Sequence, residues 1–194
     1  MKPKISGNTT LSELGTIVCS ALREVGIDAF LSGGAVVSIY TKNKYQSYDL
    51  DFVTIANRRK IHEVMIQLGF DRTESRLYAH PKTKFSVEFP GAAFLIGDQP
   101  IREFAEIRSL QGTLKLLTPT DCVKDRLAAY FHWNDRQGLN QAIAVANAHP
   151  VKIAEIEEWS KREGMRSKFS DFLSALSDQR PLLKKPSKKN PEKV

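Results

Sequence analysis

The amino-acid sequence predicts an α/β fold, a mixed sheet flanked by helices and followed by a helical C-terminal subdomain. Three observations lead there. Apolar residues alternate with a period of two in several segments between residues 29 and 117, and segments of helical period separate them. Gly33-Gly34 falls between an apolar strand-like run and a helical run, so the local order is strand, glycine turn, helix. From Pro119 onward only helical periodicity remains. The expected division is a core of residues 1–118, a helical subdomain of residues 119–178 and a disordered basic tail of residues 179–194.

The elements follow in order along the chain. Leu11, Leu14, Ile17, Val18, Ala21, Leu22 and Val25 share one face of a helix that Gly26 should stop. Ala29-Phe30-Leu31 reads as a strand, Ser32-Gly33-Gly34 as its turn, and Ala35 to Tyr40 as one or two helical turns. After the polar loop TKNKYQSY, Asp49-Leu50-Asp51-Phe52-Val53 alternates as a strand with one buried face. Residues 57–68 form a second amphipathic helix with Ile61, Val64, Met65 and Leu68 inward and Gly69 as the stop. Strands are expected around Arg76 to Ala79 and Phe85 to Phe89, with His80-Pro81-Lys82 turning between them, and on either side of Gln111-Gly112 within residues 101–117. Pro119 and Pro150 are each suited to a first helical turn, and residues 119–178 hold three or four helices.

Composition narrows the class. With 194 residues, 41% hydrophobic and 26% charged, the chain has the make-up of a globular protein with one well-buried core. No apolar run approaches the roughly 20 residues of a membrane span, and MKPKISGNTT lacks the apolar stretch of a secretory signal, so a cytoplasmic protein without membrane contact is expected. Cys19 and Cys122 lie in helical apolar segments and read as reduced packing residues. The net charge of +7 is concentrated at one end. Residues 180–194 hold six bases and one acid, which leaves +2 for the rest.

Chemistry enters with Asp49 and Asp51. At positions i and i+2 of a strand their side chains leave the same face from origins roughly 6.6 Å apart. Two like charges so placed repel and call for a cation. Magnesium suits them, because it prefers oxygen ligands and is usually held by one or two carboxylates together with substrate phosphates. Glu88, in Ser86-Val87-Glu88-Phe89, puts a third acid on another strand. Beside the first two it can ligate a second ion or take the proton of an attacking hydroxyl. Ser32, Gly33 and Gly34 expose N–H groups at a helix start, where a triphosphate can rest.

In this order of motifs, LSGGAVVSIYTKNKYQSYDLDFV followed by FSVEFPG, the sequence resembles the nucleotidyltransferase superfamily typified by DNA polymerase beta, and within it small bacterial proteins related to AbiEii-type toxins. The resemblance spans about residues 29–135. It implies a nucleotidyltransferase-like mixed sheet and a magnesium-dependent transfer of a nucleoside monophosphate from a nucleoside triphosphate, with up to two ions on Asp49, Asp51 and Glu88. Ser47 matches a small hydroxyl residue of the family's nucleotide site. In LTPTDCVKDRLAAY, Arg126 matches a basic residue that faces the nucleotide. Two features depart from the pattern: the spacer of 14 residues between Gly34 and Asp49 is long, and the charged cluster after the basic helix is only partly present in residues 132–136. The acceptor hydroxyl is left open between the 3′ end of an RNA such as a transfer RNA, a protein side chain and a small molecule such as an aminoglycoside. A second reading also stays open, a non-catalytic nucleotide- or RNA-binding module of a toxin–antitoxin type system with a protein partner.

Other polar residues read as structural. His62, His80, His132 and His149 lack the spacing of a zinc site. His132 and Trp133 read as packing and capping residues, and Lys124 as an exposed residue of its helix.

The tail, with its lysines and prolines and few apolar residues, can bury little surface and acts only through charge. Deleting residues 181–194 is therefore expected to leave the melting temperature nearly unchanged while weakening RNA binding and flattening its salt dependence. Thermal unfolding and RNA titrations at two salt concentrations measure both.

Overall fold

The computed structural model describes residues 5–74, 77–91 and 94–179. Helix α1 (Leu11–Glu24) opens on a capping box in which the Thr10 hydroxyl accepts from the Glu13 N–H and the Glu13 carboxylate accepts from the Thr10 N–H. Gly26, at φ +77°, ends it where the sequence predicts. Strand β1 (Phe30–Ser32) runs directly into α2 (Gly33–Tyr40), and β2 (Asp49–Val53) follows. Helix α3 (Arg58–Gln67) is capped by Asn57. Five short strands come next, β3 (Asp71–Arg72), β4 (Tyr78–Ala79), β5 (Ser86–Glu88), β6 (Leu95–Ile96) and β7 (Gln99–Pro100), and then the longer hairpin of β8 (Phe104–Ser109) and β9 (Gly112–Leu117). Four helices close the described chain: α4 (Pro119–Trp133), α5 (Arg136–Ala148), α6 (Ile153–Arg162) and α7 (Arg166–Gln179).

The described strands form a mixed sheet of order β3-β4-β5-β2-β1-β9-β8, in which β2 runs parallel to β5 and β1 parallel to β9; β6 and β7 make a separate hairpin. One face of the sheet is apolar. Leu31, Leu50, Val87, Leu114 and Leu116 are wholly buried, and α1 lies against them, with Gly15 in contact distance of Leu114 and Leu50. At roughly 1.5–3 kcal/mol per buried aliphatic side chain, this layer holds the sheet in register. Another part of the core is built by α4 against α2, α5 and α6, with Cys122, Val123, Leu127, Tyr130 and Trp159 all buried.

Several expectations meet corrections. Strands β3, β6 and β7 have two residues each, too few to show a period. The strand start at Arg76 and the basic tail from Arg180 fall outside the described residues. Pro150 lies in the turn between α5 and α6, not in a first helical turn. Trp133 is 77% exposed, because Asn134, at φ +57°, turns the chain away immediately after it. His132 contacts the Glu163 carboxylate at 3.1 Å instead of packing inward.

Lys124 is the largest correction. It is wholly buried, with Nζ 2.5 Å from Glu155, 3.4 Å from Asp121 and 3.3 Å from Gln99. Of these partners only Asp121 belongs to its own helix; the closest, Glu155, and Gln99 come from α6 and β7, which the helix pattern does not show. The Lys124 ammonium also holds the Glu155 carboxyl below its ordinary value, chiefly by hydrogen bonding. Removing one member of a buried ion pair leaves the other uncompensated. Lys124→Ala is therefore expected to lower stability by about 3 kcal/mol, and Lys124→Met, which keeps the stem, by less. Urea unfolding of the two variants gives the comparison.

Candidate active site

Register assembles the site. In the antiparallel pair of β1 and β2, Ser32 stands opposite Asp51, and in the parallel pair of β2 and β5, Asp51 stands opposite Glu88. Paired residues of neighbouring strands project from one face, so Ser32, Asp51 and Glu88 form a row across three strands. Asp49 and Ser86 form the next row on the same face, and the Ser86 hydroxyl donates to the Asp49 carboxylate. The three acids predicted from sequence are thus brought together. Ser86 was missed, although its spacing of two from Glu88 was visible in FSVEF.

The acids are not equivalent. Asp49 is exposed, whereas Asp51 is largely covered. Burial, then the Glu88 charge, pushes the Asp51 carboxyl up to about 6, with Asp49 adding to the shift and Arg126 opposing it. The cluster is therefore short of positive charge. Among the described residues no group of three or more His, Cys, Asp or Glu is arranged to hold a metal ion by itself in this geometry, so any cation here would have to be shared with another ligand such as a phosphate.

Gly33 is required where it stands. It has φ +70°, and a Cβ there would collide with the Asp51 carboxylate oxygen Oδ2. Ser32 is the N-cap of α2, yet its side chain makes no capping hydrogen bond. The first-turn N–H groups thus open beside Asp51 without a capping oxygen from Ser32.

The long spacer is resolved by its own contacts. Helix α2 takes its first six residues, and the remaining loop is tied down by the buried Ser38, whose hydroxyl donates to the Tyr45 carbonyl at 2.8 Å and accepts from the Ser47 N–H at 2.7 Å. Ser47 lies against Gly34, and its hydroxyl is engaged with the Asp49 backbone, donating to the carbonyl at 3.0 Å and accepting from the N–H at 3.3 Å. It shapes the start of β2.

Arg126 reaches this face from α4. Its guanidinium donates to Asp125 Oδ2 from Nε at 3.0 Å and Nη2 at 2.6 Å, and to the Gln141 side chain at 3.4 Å. Burial, the largest single influence, would lower its pKa, but the charge and hydrogen bond of Asp125, together with Cys122 and Asp51, raise it on balance. Asp125 and Gln141 were missed; nothing in the spacing of a helix shows that an acid beside a base will turn to hold it. A larger cavity, of about 480 Å³, lies between β7, the start of α4 and the turn before α6, and none of the predicted site residues line it.

No protein-family model matches the chain, and no curated protein matches it. Among solved structures, its fold is similar to that of an antigenic nucleotidyltransferase-like protein from Paracoccidioides brasiliensis, at 15% identity and a TM-score of 0.51 over 85% of this chain and 94% of that one. It is also similar to the antibiotic-resistance factor ANT(2'')-Ia, at 13% identity and a TM-score of 0.45 over 83% of this chain and 91% of that one. A tRNA nucleotidyltransferase complexed with a primer tRNA and an incoming ATP analog gives 16% identity and a TM-score of 0.34 over 83% of this chain and 60% of that one. At 15% identity the first of these shows a likeness of fold alone, and the mixed α/β fold is nucleotidyltransferase-like in that sense.

The raised pKa of Asp51 makes a stability prediction. A carboxyl whose folded-state value lies above its unfolded value stabilises the fold in its protonated form, fully below pH 4 and no longer once pH has risen through about 6. Asp51→Asn removes the charge at every pH. In chelator it is expected to be more stable than the wild type above pH 6, by up to about 3 kcal/mol, with no advantage below pH 4. Denaturant melts across this range measure the difference.

Proposed function

We propose that the chain is a magnesium-dependent nucleotidyltransferase that moves a nucleoside monophosphate from a nucleoside triphosphate to a hydroxyl acceptor. The observation that carries the reading is the register that sets Asp51 between Ser32 and Glu88, with Asp49 on the same face and the uncapped start of α2 alongside. The kinship with AbiEii-type proteins rests on motif order alone.

The donor set fits the metal. Magnesium takes oxygen ligands and shares them between one or two carboxylates and substrate phosphates, and this cluster offers clustered carboxylates lacking a compensating charge. Asp49, Asp51 and Glu88 would hold up to two ions, which when bound neutralise charge on the transferring group and acidify the attacking hydroxyl.

The chain's own residues do the rest. Backbone N–H groups of Gly33 and Gly34 receive phosphate oxygens at the positive end of α2, and Ser32 flanks them. Arg126, held in place by Asp125 and Gln141, supplies a fixed positive charge on the same face. As the acceptor oxygen bonds to the α-phosphorus, the bond from that phosphorus to its bridging oxygen breaks and pyrophosphate leaves. Glu88 takes the hydroxyl proton on its carboxylate.

Triphosphate affinity is expected to rise sharply with magnesium in calorimetry, because the carboxylates bind nucleotide only through a shared cation. Asp49→Asn, Asp51→Asn and Glu88→Gln are each expected to lower transfer of labelled nucleotide to total RNA or small hydroxyl acceptors by about a thousandfold without loss of melting temperature. A wild-type chain inactive with every triphosphate and acceptor, with destabilised variants, would leave the non-catalytic binding module.

A further inference from the structure

The proposed transfer needs a hydroxyl, and the acid face already holds one in position. Ser86 stands opposite Asp49 in the parallel pair of β2 and β5, two residues before Glu88, so its half-buried side chain leaves the same face as the three acids. Its N–H donates to the Tyr48 carbonyl at 3.0 Å, which fixes the backbone, and its hydroxyl donates to Asp49 Oδ1. Two other serines of this face are placed differently. The Ser47 hydroxyl donates to the Asp49 carbonyl, and a backbone carbonyl accepts a hydrogen bond but does not carry a proton away. Ser32 ends β1 at the head of α2, beside the N–H groups that suit phosphate oxygens. Ser86 is the one of the three whose proton is already directed at a carboxylate, the pairing of nucleophile and base that activates a serine.

Strand order supplies a direction. In the sheet β2 lies between β5 and β1, so the start of α2 is on one side of Asp49 and Asp51 and Ser86 is on the other. With neighbouring strands about 4.8 Å apart, β5 stands roughly 10 Å from β1. In such a transfer the attacking and leaving oxygens lie in line on opposite sides of the phosphorus. A triphosphate that rests its terminal phosphates on Gly33 and Gly34, with its α-phosphate over the acids, turns the attacked side toward β5.

We propose that the chain transfers one nucleoside monophosphate onto its own Ser86, which makes this protein side chain an acceptor. The proposal rests on the transferase reading above. Ser86 Oγ bonds to the α-phosphorus, the bond from that phosphorus to its bridging oxygen breaks, pyrophosphate leaves, and the hydroxyl proton passes to the Asp49 carboxylate that already accepts it. The product is a phosphodiester joining serine to the nucleoside. A hydroxyl held in place competes with any acceptor that must diffuse in. The adduct lies over Asp49 and Glu88, so the modification stops at one per chain and closes the site to a second triphosphate.

The test uses the full chain, starting from protein whose intact mass shows no adduct. It is incubated with magnesium and each of the four ribonucleoside triphosphates in turn, labelled on the α-phosphate or, for comparison, on the γ-phosphate, with no other acceptor present. Label from the α-position is expected to survive denaturation, and mass spectrometry should find a whole nucleoside monophosphate on the peptide that holds Ser86. Ser86→Ala should lose about a hundredfold in labelling, while Ser86→Thr, which keeps a hydroxyl, should retain part of it. In calorimetry the modified chain should bind magnesium and triphosphate at least about tenfold more weakly than the unmodified chain. Wild-type protein that binds triphosphate with magnesium yet takes no α-label overturns the proposal. So does label mapped to another residue, which is read on the wild type and does not depend on how a variant folds, and so does label from the γ-position alone. Absence of magnesium-dependent triphosphate binding in the wild type, read in its own titration, would instead sink the transferase reading.

Discussion

One row of residues, Ser32, Asp51 and Glu88, constrains the rest of the site, and the apolar face beneath it enforces that row. Leu31, Leu50 and Val87 occupy the alternate positions of the same three strands and are wholly buried. A slip of one residue in any of these strands would exchange the faces, putting carboxylates into the core and leucine or valine into solvent. Burying a carboxylate costs several kcal/mol, far more than any ladder hydrogen bond could return. The core therefore specifies where the acids point as firmly as it specifies the fold.

That arrangement concentrates negative charge, and the surrounding elements respond to it unevenly. Arg126 faces Asp51 but is shared with Asp125, so it relieves the cluster only in part. A site with surplus negative charge at its centre is suited to a cation there.

Helix α4 links this chemistry to the C-terminal helices. Residues two apart on a helix point roughly 200° from one another, so Lys124 and Arg126 leave α4 on opposite sides. Arg126 goes toward the sheet, steadied by Gln141 of α5, while Lys124 is buried against Glu155 of α6 and Gln99 of β7. Each charge also has a partner on another element, Gln141 for Arg126 and Glu155 for Lys124, and these contacts constrain the rotation of α4 about its own axis. The direction of Arg126 is thus partly a consequence of packing on the far side of its helix.

Local pattern alone determined the helices from α1 to α3, the strands β1, β2, β5, β8 and β9, and the membership of Asp49, Asp51 and Glu88 in strands whose faces alternate. These depend on spacing within one segment, and a period of two or 3.6 is written in the segment itself. The value of Gly33 was legible as a turn but not as the residue that leaves room for Asp51, because the oxygen it avoids lies 18 positions away in the chain. Tertiary structure decided that Lys124 is buried, that Trp133 is exposed, and that Asp125 holds Arg126. In every such case the deciding partner belongs to another element or depends on how a helix is rotated. Periodicity reports which side of an element is apolar, while the pairing of charges depends on what the folded chain brings to the other side.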